Sequence, residues 1–480
     1  MCLILKLEFN INYYLKKNST MKNITYKTIA IALLLTGLNS CKKGDDLYIS
    51  PNTPVAATPA SLLSAVEVGT FSNLESGVVR IASIFMQNNS GVNGQMVQPE
   101  QYQPIESDMD NYWNTLYPNM LNCKLLIDNF GDADPNYRGI ARIMMAINLG
   151  VVTDMWGDAP YSEAFKGAAN LTPHYDAQQT ILTDIQTLLD GAIADLANTT
   201  NNVVPANDDY AFKGNTAAWT KIAWTLKARY YSRLSKKPGF DPNVILTDLS
   251  NGIASNADNL YAIHGTAAPE TNQWASFLNN RTGYMVASQT LIDSMGNMND
   301  PRTPFYFDTT GQGNIAVGNL LGGSNSAVSN LGPYLGGYDN TETTNQAKSI
   351  PLVTYAEALF LQAEAQVHLG NATAFTTLNN AIMASVSEVT QGASTGASIA
   401  TYTALTTSVH TVILEKWKAM FANPVESYSD YRRTGFPVLT INPNGLIPYI
   451  PKRLPTPEQE RTTNANAPIP TLDIPVWYAL

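Results

Sequence analysis

Apolar residues recur every third or fourth position through most of this chain, which predicts a body of amphipathic helices. Leu62, Leu63, Val66 and Phe71 open the pattern behind Thr58-Pro59, a pair suited to an N-cap and a first helical position. Trp113, Leu116, Met120, Leu121, Leu125 and Ile127 form a second stripe, with Pro118 placed to kink it or to begin a new segment. Ile140, Ile143, Met144, Ile147 and Val151 form a third, within Tyr137 to Val152. The short turn from Gly131 to Pro135 joins these two as an antiparallel hairpin. Ile181 to Leu196 with Thr216 to Leu234 repeats the arrangement. So does Leu352 to Leu369, stopped by Gly370, with Thr373 to Val386. Helix pairs of this kind suggest tetratricopeptide-like stacking, whose repeat is about 34 residues, although no strict period survives the insertions. The fold class expected is mainly α: tetratricopeptide-like helical hairpins with a long, irregular, loop-rich insertion.

That insertion is Gly265 to Thr343, rich in Gly, Asn and Thr, with no sustained period after a helix expected over Val286 to Met295. Its aromatics, among them Trp274, Phe277, Tyr284, Phe305, Tyr334 and Tyr338, argue against disorder. Ordered loops packed on the helical scaffold are expected, with a ligand region over about residues 265–345.

The N-terminal end carries a different signal. Lys22 and Lys27 precede an apolar run from Thr28 to Gly37, about the length of a secretory core and too short to span a bilayer. It closes on Leu38-Asn39-Ser40-Cys41, which looks like a bacterial lipobox, with cleavage after Ser40 and lipids on Cys41. Several acyl chains hold a protein firmly to a membrane without spanning it. The organisation expected is an upstream mis-called start over 1–20, a signal peptide over 21–40, a lipidated tether over 41–59 and a single domain over 60–480.

Composition and motifs narrow the chemistry. The net charge is −10 with unclustered basic residues, so nucleic acid is not an expected partner. Three cysteines, Cys2, Cys41 and Cys123, leave no intramolecular disulfide framework once the leader is removed. The four histidines show no metal-ligand spacing, and no acidic calcium loop is present, so no metal is expected. Gly392-Ala-Ser394-Thr-Gly396 fits the nucleophile-elbow string but sits among small polar residues without a preceding strand pattern. Glu415, Lys416, Glu426, Asp430, Arg432 and Arg433 read as structural ion pairs locking the C-terminal helix to the following loop. Asp300 with Arg302 reads the same way. No catalytic residue is assigned.

Six stretches carry a family resemblance: NTPVAATPASLLSAVEVG from Asn52, DMWGDAPYSEAF from Asp154, DPRTPFYF from Asp300, PLVTYAEALFLQAEAQVHLG from Pro351, ILEKWKAMFANPVESYSDYRRTGFP from Ile413 and IPKRLPTPEQE from Ile450. Together, in this order behind a lipobox, they resemble the SusD/RagB-like nutrient-binding lipoproteins of the Bacteroidetes outer membrane, most closely the second SusD-like subgroup. Asp45-Asp46 after Cys41 is similar to the signal that sends such lipoproteins to the cell surface. The resemblance implies a non-enzymatic binding protein without cofactor. It would cap a SusC-like TonB-dependent transporter and hold an oligosaccharide, or in some branches a peptide.

Sugar rings present an apolar C–H face and a polar rim, which suits aromatic platforms flanked by amides and guanidinium groups. The residues expected to bind ligand are Tyr102, Trp274, Tyr284, Tyr334 and Tyr338, with Asn88, Asn89 and Arg281 as polar partners. Loop packing is the competing role for each ring. Two other functions stay open on sequence alone: an exported glycoside hydrolase with paired carboxylates, and a helical scaffold without a small-molecule site.

Overall fold

The computed structural model describes residues 57–267, 270–323, 327–338 and 344–480. The leader and Cys41 lie outside them. Thr58 caps the first helix as its sequence predicts: its hydroxyl oxygen accepts from the Ser61 N–H, and the Ser61 hydroxyl oxygen accepts from the Thr58 N–H. Helices α1 (Pro59–Asn73) and α2 (Gly77–Phe85) lead into a short strand β1 (Asn89–Gly91) and a one-turn helix α3 (Val97–Glu100).

Helix α4 (Glu106–Phe130) and helix α5 (Pro135–Trp156) form the first long hairpin. Pro118 does not divide α4, which runs unbroken through it. The residue sits on the exposed side, where water can satisfy the carbonyl that loses its N–H partner, while Trp113, Leu116, Met120 and Leu126 are buried on the other. Helix α5 is buried on nearly every face, as a helix apolar all round should be. Its one central amide is satisfied across helices: Asn148 accepts from Asn73 Nδ2 at 2.9 Å and donates to Thr70 Oγ1 at 2.8 Å, and Asn119 of α4 donates to the same hydroxyl at 3.0 Å. Buried amides stabilise only when paired, and here they fix the register of α1, α4 and α5.

Helix α6 (Gln178–Leu196), helix α7 (Thr216–Tyr231) and helix α8 (Pro242–Leu249) follow. The irregular region is more ordered than periodicity suggests. Behind strand β2 (Leu260–Ala262), it holds helix α9 (Gln273–Asn280), strand β3 (Met285–Ala287), helix α10 (Gln289–Met295) and helix α11 (Thr303–Tyr306). Val286 therefore lies on a strand, and the helix expected there begins at Gln289. Strand β4 (Ile350–Val353) precedes helix α12 (Tyr355–His368) and helix α13 (Ala374–Val389). Leu352 is on that strand because Thr354, its hydroxyl oxygen accepting from the Glu357 N–H at 3.2 Å, starts the helix after it. Gly370 ends the hairpin's first arm with φ +66°, as a residue past a helix end must. Helix α14 (Val409–Ala419), helix α15 (Pro424–Thr434) and helix α16 (Glu458–Thr463) complete the chain. Strand β1 pairs antiparallel with β3, and β2 with β4.

The charged C-terminal residues are structural: Arg432 reaches the following loop through the Lys452 carbonyl at 3.3 Å, and the others lock helices to one another. Arg233, fully enclosed, donates to Asp154 of α5 at 2.9 Å and to Glu426 of α15 at 2.8 Å. Arg229 of α7 forks onto Glu357 of α12 at 2.7 and 2.5 Å. Arg433 bonds Glu364 of α12 and Asp430, which also lies 2.9 Å from Lys416 of α14. Arg302 forks onto Asp300 at 3.0 and 2.7 Å and reaches Ser385 of α13. Arg233 and Arg433 each answer carboxylates on separate elements, and Arg229 ties α7 to α12, which sets the mutual placement of the hairpins.

Candidate functional site

The β1–β3 ribbon organises the loops. Asn89 faces Ala287 and Gly91 faces Met285 across it, and beyond Gly91 the Val92 N–H donates to the Tyr284 carbonyl at 3.0 Å. On one side of the ribbon lies a groove of about 360 Å³. Its floor and walls come from Gly91 and Val92, from Val97, Glu100 and Gln101 along and just past α3, from Asn319, Gly322 and Gly323, and from Asn442 and Asn444 near the C-terminal end. Such a volume is at the small end of ligand sites.

Hydrogen bonds hold these distant segments in register. Asn442 donates its amide to the Glu100 carbonyl at 2.8 Å and its backbone N–H to the Tyr102 hydroxyl oxygen at 3.0 Å. Asn444 donates to the Gly322 carbonyl at 2.7 Å. The Asn319 backbone bridges Ala287 and Gln289, which ties that wall to β3. Glu100 accepts from the Gly91 N–H at 2.8 Å. Burial pushes the Glu100 carboxyl up to about 7, while the Gly91 N–H pulls the other way. The groove thus presents amides, backbone and one carboxyl, groups that both donate to and accept from hydroxyls.

The residues expected from sequence divide into two groups. Tyr284, Tyr338 and Arg281 gather where α9 turns into β3. Tyr284 is half-buried, its ring so close over Gly94 that a Cβ there would lie 2.1 Å from Cε2. The Tyr338 hydroxyl lies 3.0 Å from Thr282 Oγ1 and 3.2 Å from the Leu278 carbonyl oxygen. Arg281 is exposed, its guanidinium 5.8 Å from the Phe277 ring centroid. Asn88 and Asn89 begin the same ribbon with side chains that are buried and without hydrogen-bond partners.

The other rings are enclosed and offer no free face. Trp274 is fully buried under the Arg80 guanidinium, which lies 5.8 Å from its centroid and 4.4 Å from that of Phe277. Tyr102 is buried beneath the groove, edge-on to Phe85 at 6.4 Å, and acts through its bond to Asn442. Tyr334 packs 5.3 Å from Tyr306 and donates to Glu388 at 2.7 Å, away from the ribbon. In each case loop packing takes the ring. Glu100, Gln101, Asn319, Asn442 and Asn444 were not singled out from sequence. Turn strings such as Asn442-Pro-Asn-Gly445 mark loops but do not show where those loops converge.

A second recess of about 390 Å³ lies among α6, α7 and the C-terminal segment. Its rings pack on one another and on a lysine: Tyr231 and Phe240 stack at 5.5 Å, and Lys237 Nζ sits 4.3 Å over Trp477, and all three rings are half-buried. Among the described residues no group of three or more His, Cys, Asp or Glu is placed to hold a metal, and no helix is long and apolar enough to cross a membrane.

Helical hairpins carrying a loop-rich insertion make a scaffold of the SusD type. The chain belongs to the SusD-like family: the model of its second subgroup, described as starch-binding and associating with the outer membrane, matches residues 51–457. Among solved structures, a SusD/RagB family protein from Bacteroides thetaiotaomicron is similar at 24% identity and TM-score 0.73, covering 88% of this chain and 99% of that one. A chitin-binding SusD homolog from Flavobacterium johnsoniae is similar at 20% identity and TM-score 0.73, covering 87% and 98%. A further neighbour, described as a chitin-binding protein, has 23% identity and TM-score 0.72 over 88% and 100%. No curated protein matches.

Proposed function

We propose that this chain is a surface-tethered lipoprotein, anchored through Cys41, that captures a nutrient oligosaccharide and passes it unaltered to a SusC-like TonB-dependent transporter. The observation that carries the reading is the family match over residues 51–457, a family described by starch binding and outer-membrane association. The groove beside β1 supports it, since free amides and backbone groups suit sugar hydroxyls, and the half-buried Tyr284 with the exposed Arg281 borders the same ribbon. Asn88, Asn89 and Tyr338 are proposed to shape the ribbon's approach. Trp274, Tyr102 and Tyr334 support the loops from within.

The test is a glycan array followed by calorimetric titration of the purified mature chain, with the recovered sugar sized by chromatography. Binding of an oligosaccharide that is recovered intact is the expected result. Shortened products would assign the chain to hydrolases. Binding confined to peptides would move it to the peptide-binding branch.

A further inference from the structure

The groove has one ionisable wall. Among the described residues that line it, Glu100 is the only one with a titratable side chain, and the rest are glycine, valine, asparagine and glutamine. No arginine, lysine or histidine faces the carboxyl there. Glu100 Oε2 accepts from the Gly91 N–H at 2.8 Å, and Oε1 makes no hydrogen bond among the described residues. The side-chain amides of Asn319 and Gln101 are likewise uncommitted, whereas Asn442 is held by Glu100 and Tyr102. The unused side-chain capacity of the site is therefore two amides, the Asn444 amide oxygen and one carboxyl oxygen. A hydroxyl satisfies such groups in either direction, because it donates one hydrogen bond and accepts others. An anionic group meets a carboxyl with no compensating cation, an arrangement that disfavours it.

We propose that this groove selects glycan units without acidic groups, and that Glu100 enforces the selection by bonding a sugar hydroxyl and repelling a uronate or sulfate. The inference rests on the oligosaccharide reading above and names the ligand class that reading leaves open. Ionisation of Glu100 near neutrality supports it, since repulsion should then strengthen as pH rises. The titratable neighbour packed beneath it is Tyr102, whose phenol burial pushes up and keeps neutral over that range.

The test is titration calorimetry on the mature chain, using maltohexaose and N-acetylchitohexaose as neutral probes and hexagalacturonate as the acidic one. The array supplies any further neutral or acidic pair that binds. At about pH 8 the acidic probe should bind at least about threefold more weakly than the best neutral probe. The gap should narrow near pH ~6, where Glu100 takes up a proton, and Glu100→Gln should close it at both pH values. Asn319→Ala, on a separate wall, should weaken every bound glycan while melting like the parent chain. Equal affinity for acidic and neutral probes at the higher pH, or a gap that survives Glu100→Gln, overturns the inference. Glycan binding indifferent to both variants overturns it and leaves the oligosaccharide reading standing. Absence of binding to any glycan on the array overturns both.

Discussion

His264 Nε2 lies 2.7 Å from Glu75 Oε1, and the other ring nitrogen lies 3.1 Å from the Glu270 carbonyl oxygen. Both nitrogens thus face oxygens that accept, so the pair holds together only while it keeps a proton between imidazole and carboxyl. Glu75 also accepts from the Gln273 N–H at 2.9 Å and so fixes the start of α9, the helix that leads to Arg281 and Tyr284. Burial alone would lower the His264 pKa, but the Glu75 carboxylate outweighs it and the imidazole sits above its ordinary value. Burial pushes Glu75 up as well, against the pull of His264 and Arg80.

The sign follows for stability. Groups whose folded pKa is raised contribute fully below their unfolded value and lose that contribution as pH rises through the folded one. Stability should therefore decline with rising pH from above the ordinary imidazole value of about 6.5. Thermal melting of the parent chain and of His264→Gln across pH measures it. The parent should lose more than the variant, and parallel curves would contradict the assignment.

A second buried carboxyl points the same way. Glu67 is fully enclosed beside Asp209; its Oε2 accepts from the Tyr210 N–H at 2.7 Å, while Oε1 has no hydrogen-bond donor. Burial first, and then the Asp209 charge, push its pKa up to about 10. A protonated Glu67 supplies the missing donor at the cost of binding a proton that the unfolded chain releases. Glu67→Gln supplies that donor permanently and should stabilise the chain by about 1–3 kcal/mol near pH 8. Near pH ~5, where the unfolded carboxyl is itself partly protonated, the gain should be smaller. Denaturant melts at the two pH values measure the difference.

The Arg233 cross-link should be costly to break. Removal of its guanidinium leaves Asp154 and Glu426 buried with less compensation, so Arg233→Ala should destabilise by about 3–5 kcal/mol, read from urea unfolding. Arg233→Lys should recover only part, since an ammonium cannot reproduce the fork.

How much of this the sequence disclosed depends on the range of the interactions. The hairpins were legible because stripes such as Ile140, Ile143, Met144 and Ile147 are local patterns, and the structure buries all four. The groove was not, because its walls lie more than a hundred residues apart in the chain, from Gly91 to Asn319 to Asn444, and are joined by backbone and amide bonds that leave no periodic trace. Aromatics in irregular segments were ambiguous for a physical reason: a ring in a loop gains as much from packing inward, as Trp274 and Tyr334 do, as from meeting a ligand. Helix α9 escaped notice because eight residues hold only two turns of pattern.

That ambiguity is itself testable. Trp274→Ala should cost about 3–5 kcal/mol of stability, as expected for an enclosed indole. Tyr284→Ala and Arg281→Ala should leave melting nearly unchanged. Loss of the half-buried Tyr284 ring should weaken glycan binding by about 1 kcal/mol. If Trp274→Ala instead melts normally and loses the ligand, the assignment of the two rings is reversed.

The most direct measurement is a crystal structure of the chain with a bound neutral oligosaccharide. Sugar density is expected in the groove beside β1, with hydroxyls in hydrogen-bonding reach of Glu100 and Asn319 and the chain of rings leading toward Tyr284. Density confined to the recess between Tyr231 and Trp477, with that groove empty, would contradict capture at the ribbon.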